Sequence, residues 1–155
     1  MASKAEAIAE LEQAHAKFRA NIEALPESAW FEQWLGSWDL SKLLAHMAGW
    51  FKEMTPGFAR VAKGERPTPE GADYSNADTW NAKFTATATP GWNELPVWDA
   101  AYKGYLQAAK DLSEEFYGAS ADGKPKIGNR LLQGAGIGHF EEHQHELEAW
   151  LASRK

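Results

Sequence analysis

Residues 39 to 64 read DLSKLLAHMAGWFKEMTPGFARVAKG. In this stretch Leu43, His46 or Met47, Trp50, Met54, Phe58 and Val61 recur at three- and four-residue steps, the spacing that gathers side chains on one face of an α-helix. Asp39 stands where its carboxylate can accept from an otherwise unpartnered backbone N–H of the first turn. Gly64 stands where a helix can end on a left-handed residue. The spacing predicts a helix from Leu40 to about Lys63, kinked at Pro56-Gly57 because a proline inside the pattern removes a donor. His46 lies on its inward face, and Glu53, seven residues on, lies on a similar one.

On the N-terminal side, Ile8, Leu11, Phe18, Ile22 and Leu25 follow the same period, so Ser3 to Leu25 is a second amphipathic helix ended by Pro26. Trp30 to Trp38 forms an aromatic connector. On the C-terminal side, Glu65 to Ser75 is rich in proline, glycine and charge and reads as an exposed loop. Asn76 or Asp78 can cap a short helix through Phe84. A long helix starts near Asn93, with Pro96 in its first turn, where the missing N–H costs nothing, and runs to about Phe116. Trp98, Ala101, Tyr102, Tyr105, Leu106, Ala109 and Leu112 form its buried stripe. After a turn-rich connector from Gly118 to Gly128, Asn129 can cap a last helix, Arg130 to Ala152. Four long helices on short to medium connections make an all-α, up-and-down four-helix bundle, with residues 1–155 as one domain.

Composition removes several classes of function. The chain has 155 residues and no cysteine, which excludes a disulfide framework, a thiolate metal site and a cysteine nucleophile. Any thiol chemistry needs a thiol from outside. The net charge is −6, and the basic residues are dispersed rather than gathered in a stripe, so no nucleic-acid partner is expected. No apolar run has the length of a membrane span or of a signal segment, and the expectation is a cytoplasmic protein with no membrane partner. Eight tryptophans point either to a heavily aromatic core or to an aromatic-lined pocket.

The chemistry concentrates in the last helix, at His139-Phe140-Glu141-Glu142-His143-Gln144-His145-Glu146-Leu147. Residues four apart lie one above the other on a helix, so the imidazoles of His139 and His143 can converge on one ion. Leu132, Ala135, Gly136, Leu147 and Trp150 share their face, which therefore points into the bundle. His145, about 200° round from His143, faces away. His46 on the inward face of the second helix supplies a third imidazole, and three neutral imidazoles with open positions suit a catalytic metal site. Occupancy of such a site falls below about pH 6, as ordinary imidazoles take up protons. His15 sits between Leu11 and Phe18, either as a partly buried histidine bonded to a carbonyl or carboxylate or as a further ligand. Glu53 is either a base near the metal or a solvated carboxylate; Glu142 and Glu146 are surface charges or orienters of imidazoles. Tyr102 and Asn81 are structural or line the pocket. Gly134-Ala135-Gly136-Ile137-Gly138 follows no strand, and close helix packing explains it better than a phosphate loop.

The run from Trp38 to Trp50, the segment Asp78-Thr79-Trp80-Asn81-Ala82, and the late His139-x-x-x-His143 followed by Leu147 and Trp150 resemble the DinB/YfiT superfamily over nearly the whole chain. The resemblance implies a four-helix bundle whose metal is held by one histidine of the second helix and two of the last, here His46, His139 and His143. It implies a metal-dependent enzyme acting on a small electrophilic molecule, by thiol transfer with a mycothiol- or bacillithiol-type cosubstrate or by hydrolysis. A metal-free branch resembling a cyclopropane hydrolase gives the alternative, a binding or sequestering protein of the resistance type. Imidazole ligands suit Zn, Ni, Cu or Fe. Relatives commonly pair, so a homodimer is expected.

Overall fold

The computed structural model describes residues 2–154. Helix α1, Lys4–Glu23, opens on a reciprocal cap in which the Ser3 hydroxyl accepts from the Glu6 N–H and the Glu6 carboxylate accepts from the Ser3 N–H. Pro26 follows, and a 3₁₀ turn at Glu27–Phe31 carries the fully buried Trp30. The connector then reverses at Gly36, whose φ of +60° suits a residue without a side chain, so that Trp38 and Leu35 pair backbone groups. Helix α2, Leu40–Ala62, starts at Asp39, whose carboxylate accepts from the Lys42 N–H at 3.0 Å. It is a single helical element through Pro56 and stops at Gly64, where φ is +81°.

Helix α3, Ala77–Thr85, is capped by the Asn76 side chain and has no fully buried residue. Helix α4, Leu95–Asp111, has Pro96 in its first turn. It ends short of the Phe116 expected from periodicity, because Leu112 turns to extended backbone to bury its side chain and Glu114–Phe116 forms a separate 3₁₀ turn. The last long unit also departs from expectation. It begins earlier, as α5 at Ile127–Leu132, widens into a π-helical segment at Gln133–Ile137, and continues as α6 at Gly138–Ser153. Asn129 is no cap: its amide accepts from the Gly118 N–H and donates to the Ala2 carbonyl, tying the connector to the chain's N-terminal end.

The four long units α1, α2, α4 and α5–α6 form the bundle, and among the described residues there is no β-strand. Its core is aromatic. Trp30, Trp98, Tyr105, Phe18, Phe51 and Phe140 are fully buried, each contributing on the order of 2–3 kcal/mol by leaving water. Arg19 of α1 makes a two-pronged contact with Asp99 of α4 at 3.0 and 3.1 Å. Trp34 of the connector lies flat on Trp150 near the end of α6, ring centres 4.6 Å apart. The Gly36 turn is thereby held against the last helix, beside the histidines of α6.

Candidate metal centre

Three of the five histidines meet in one place. His46 projects from the buried face of α2, and His139 and His143 from successive turns of α6. One ring nitrogen of each lies within 4.8 Å of the others. The Nε2 atoms of His46 and His139 are 2.8 Å apart. His143 Nδ1 is 2.6 Å from the Glu146 carboxylate, which fixes that nitrogen as the N–H donor and leaves Nε2 with a free lone pair.

Without an ion the trio is poorly satisfied. His46 Nδ1, His139 Nδ1 and His143 Nε2 are buried with no hydrogen-bond partner. The two facing Nε2 atoms can serve each other only with one as donor and the other as acceptor, and that pairing still leaves the Nδ1 of both rings unmatched. A cation between the rings takes a lone pair from each, the arrangement that the donor set fits. Burial, with the neighbouring imidazole of His143 second, pushes the pKa of His46 down to about 4 and that of His139 to about 3. Both rings are therefore neutral at pH 7 and ready to act as ligands.

The histidines line an open cleft of about 580 Å³. Trp38 and Trp50 wall it, and the Gly36 turn and α3 form its rim through Ser37, Ala77 and Asn81. Asn81 accepts from the Trp50 indole N–H at 2.8 Å, which orients that wall, and its side chain also lies against His46. The tryptophans thus serve both expected purposes: Trp30 and Trp98 pack the core, while Trp38 and Trp50 face the cleft. Glu142 also lines the cleft, exposed and with no ion-pair or hydrogen-bond partner among the described residues.

Other candidates lie elsewhere. His145 is exposed on the outer face of α6. His15 is stacked on Tyr102 at 3.7 Å and on Trp98 at 5.2 Å, half-buried against the core and apart from the trio; burial lowers its pKa to about 4. Tyr102 belongs to that stack and does not line the cleft. Glu53 accepts from the Tyr74 hydroxyl at 2.9 Å and borders a different cavity, so it is not a base at this centre. Of the glycines near His139, Gly136 packs where a Cβ would come within 2.9 Å of Leu11, and Gly138 where it would come within 2.7 Å of the Gln133 carbonyl. Gly134 has open space instead. The Gly36 turn and the Trp38 wall went unassigned in the sequence, although a glycine inside an aromatic connector was the available signal.

No family model matches the sequence, and no curated protein is similar to it. The fold is shared with solved DinB/YfiT-like proteins. The sibling lethal factor precursor DfsB superposes with a TM-score of 0.79 at 17% identity, covering 100% of this chain and 98% of its own. The colibactin self-resistance protein ClbS, solved in complex with dsDNA, gives 0.72 at 16% identity over 96% and 95% of the two chains. A mycothiol-dependent maleylpyruvate isomerase gives 0.71 at 15% identity, covering 95% of this chain but 63% of the isomerase. The dsDNA in one of these structures is a class of partner that the dispersed basic residues of this chain did not suggest. At such identities the likeness is one of fold.

Proposed function

We propose that this protein is a metal-dependent enzyme acting on a small electrophilic molecule, by thiol transfer or by hydrolysis, with a divalent ion on His46, His139 and His143. The observation that carries the proposal is the convergence of three imidazoles, one of them oriented by Glu146, on the side of an open aromatic cleft. An ion held there supplies Lewis acidity and lowers the pKa of a water or thiol beside it. Zn, Ni and Fe all accept imidazole donors.

The remaining work falls to the chain's own groups. Trp38 and Trp50 offer flat apolar faces to the substrate, and the Asn81 amide on the rim can donate to a substrate oxygen. Glu142, unpartnered in the cleft, takes the proton at its carboxylate as the nucleophile is activated. With no cysteine in the chain, a thiol nucleophile enters as a low-molecular-weight cosubstrate, in keeping with a cytoplasmic protein. Pairing of two copies belongs to the same proposal: Phe31 and Trp92 are large apolar side chains left 55% and 45% exposed, and sedimentation at micromolar concentration reads the pairing directly.

The test uses protein purified without a histidine tag. Its metal content is measured, and turnover of a bimane-type electrophile with a small thiol, and of an activated ester without one, is followed before and after chelation. Turnover that disappears with the metal and returns with Zn or Ni supports the enzyme. The alternative, sequestration of a small molecule without turnover, is favoured by the fold shared with a self-resistance protein. Tight binding of an apolar dye, indifferent to chelator and without turnover, would establish that alternative instead.

A further inference from the structure

The histidine centre adjoins a second, apolar space. A groove of about 270 Å³ is lined by Trp50, Met54, Gly134, Ala135 and His139. Trp50 and His139 also line the main cleft, so the two spaces share two walls. Apart from the His139 ring, no lining side chain of the groove offers a polar atom beyond the Trp50 N–H, which is already bonded to Asn81. Met54 is an unbranched, polarizable side chain that adapts to apolar shapes.

The groove is open because position 134 carries no side chain. Packing requires glycine at Gly136 and Gly138, but a Cβ at Gly134 would meet nothing within 4 Å. Gly134 lies in the π-helical segment, the widened kind of turn that recurs at functional sites. Beyond it a further mainly apolar cavity begins, lined by Ala7, Gln133, Gly134 and Ile137 among others. Apolar atoms gain by entering such a groove, whereas a polar ligand would find no side chain to bond beyond the His139 ring.

We propose that the substrate is an amphiphile, with a small reactive head at the three-histidine centre and an unbranched apolar tail in the groove of Trp50, Met54, Gly134 and Ala135. This rests on the metal reading given above and specifies the class of molecule it acts on. With methylene-sized units taking about the 30 Å³ of a water molecule, the groove holds a tail on the order of eight carbons. Joining tail to head lets the groove add affinity without a second loss of translational freedom.

The probes are straight-chain alkyl hydroxamates, from acetohydroxamate to decanohydroxamate, titrated calorimetrically into Zn-loaded protein. Affinity should rise by up to about fourfold per added methylene and level off near eight carbons. Gly134→Phe and Met54→Trp should each flatten that rise while leaving the acetohydroxamate affinity within about twofold of the parent and the far-UV circular dichroism unchanged. Acetohydroxamate binding with no gain from longer tails, or a gain that survives both substitutions, overturns the proposal alone. Failure of every hydroxamate to bind overturns the metal reading and the proposal with it.

Discussion

His139 and His145 belong to one helix, yet the first faces the centre and the second faces water. Metal stoichiometry is therefore expected to fall sharply for His46→Ala, His139→Ala and His143→Ala, and to stay at the parent value for His145→Ala, as read by elemental analysis of the purified variants. Glu146 and Glu142 separate in the same way. Glu146→Gln loses the charged acceptor of His143 Nδ1 and should weaken metal binding by roughly 10–100-fold in competition with a chromogenic chelator. Glu142→Gln should retain the metal and lower kcat by on the order of 100-fold if its carboxylate takes the proton. Helical spacing identified the three histidines because periodicity reports which face a residue occupies. It left Glu142 and Glu146 undivided, since their roles depend on side-chain rotamers and not on the face. Of the two readings of Glu53, a base near the metal or a carboxylate away from it, the second holds for another reason. Seven residues after His46 it shares a face but lies about 10 Å further along the axis, where Tyr74 engages it.

Among the elements, α3 is the one held most lightly. None of its residues is fully buried, and it rests on α2 through Phe84 and Trp80 against Trp50 and through the Asn81 bond. Gly49 lies beneath the Phe84 ring, where a Cβ would approach to 2.1 Å. Gly49→Ala should therefore displace α3, raising hydrogen exchange across residues 77–85 while the bundle stays helical. The π-helical segment is fastened more firmly. Gly136→Ala would drive a methyl against Leu11 and Tyr105, whose hydroxyl donates to the Leu131 carbonyl at the entrance to the segment. A loss of about 1–3 kcal/mol in urea unfolding is expected. Caps and periods made the long helices readable in advance: Asp39, Gly64 and Pro96 act as their residue types dictate. The π segment left no such mark. Ala135, Gly136 and Ile137 are all buried in succession, and the apolar steps on either side are compatible with an uninterrupted α-helix. The cap expected at Asn129 does not form, because its partners, Gly118 and Ala2, are remote in sequence from the start of the last helix.

At the scale of the whole molecule, acid should act through histidines that the fold keeps neutral. Burial holds His15 down to about 4 against the pull of Asp99, and burial followed by the neighbouring imidazole of His143 holds His46 to about 4 and His139 to about 3, against about 6.5 in the unfolded chain. Below about pH 6.5 the unfolded chain binds protons that the folded chain refuses, so stability is full above that value and declines as the pH falls toward 4. Metal-free protein should lose several kcal/mol between pH 7 and pH 5, roughly 2 for each of the two more buried histidines, His46 and His139, seen as an earlier urea midpoint at unchanged slope. The same lowering moves proton competition for the ion to more acidic conditions than the pH of about 6 expected for ordinary imidazoles, and a metal-release titration should show retention at pH 5.5.

The two indoles of Trp34 and Trp150 are nearly parallel, 6° apart, at a centre-to-centre distance of 4.6 Å. Chromophores so placed couple their excitations, and the pair should give a shifted near-ultraviolet indole band that neither ring gives alone. Trp34 precedes the Gly36 turn bordering the cleft, and Trp150 stands on the helix that bears His139 and His143. That band is a native optical gauge of the distance between the two, present without any label. It should collapse in Trp34→Phe or Trp150→Phe, and any change in its amplitude on adding Zn or a hydroxamate would report movement of the cleft's rim.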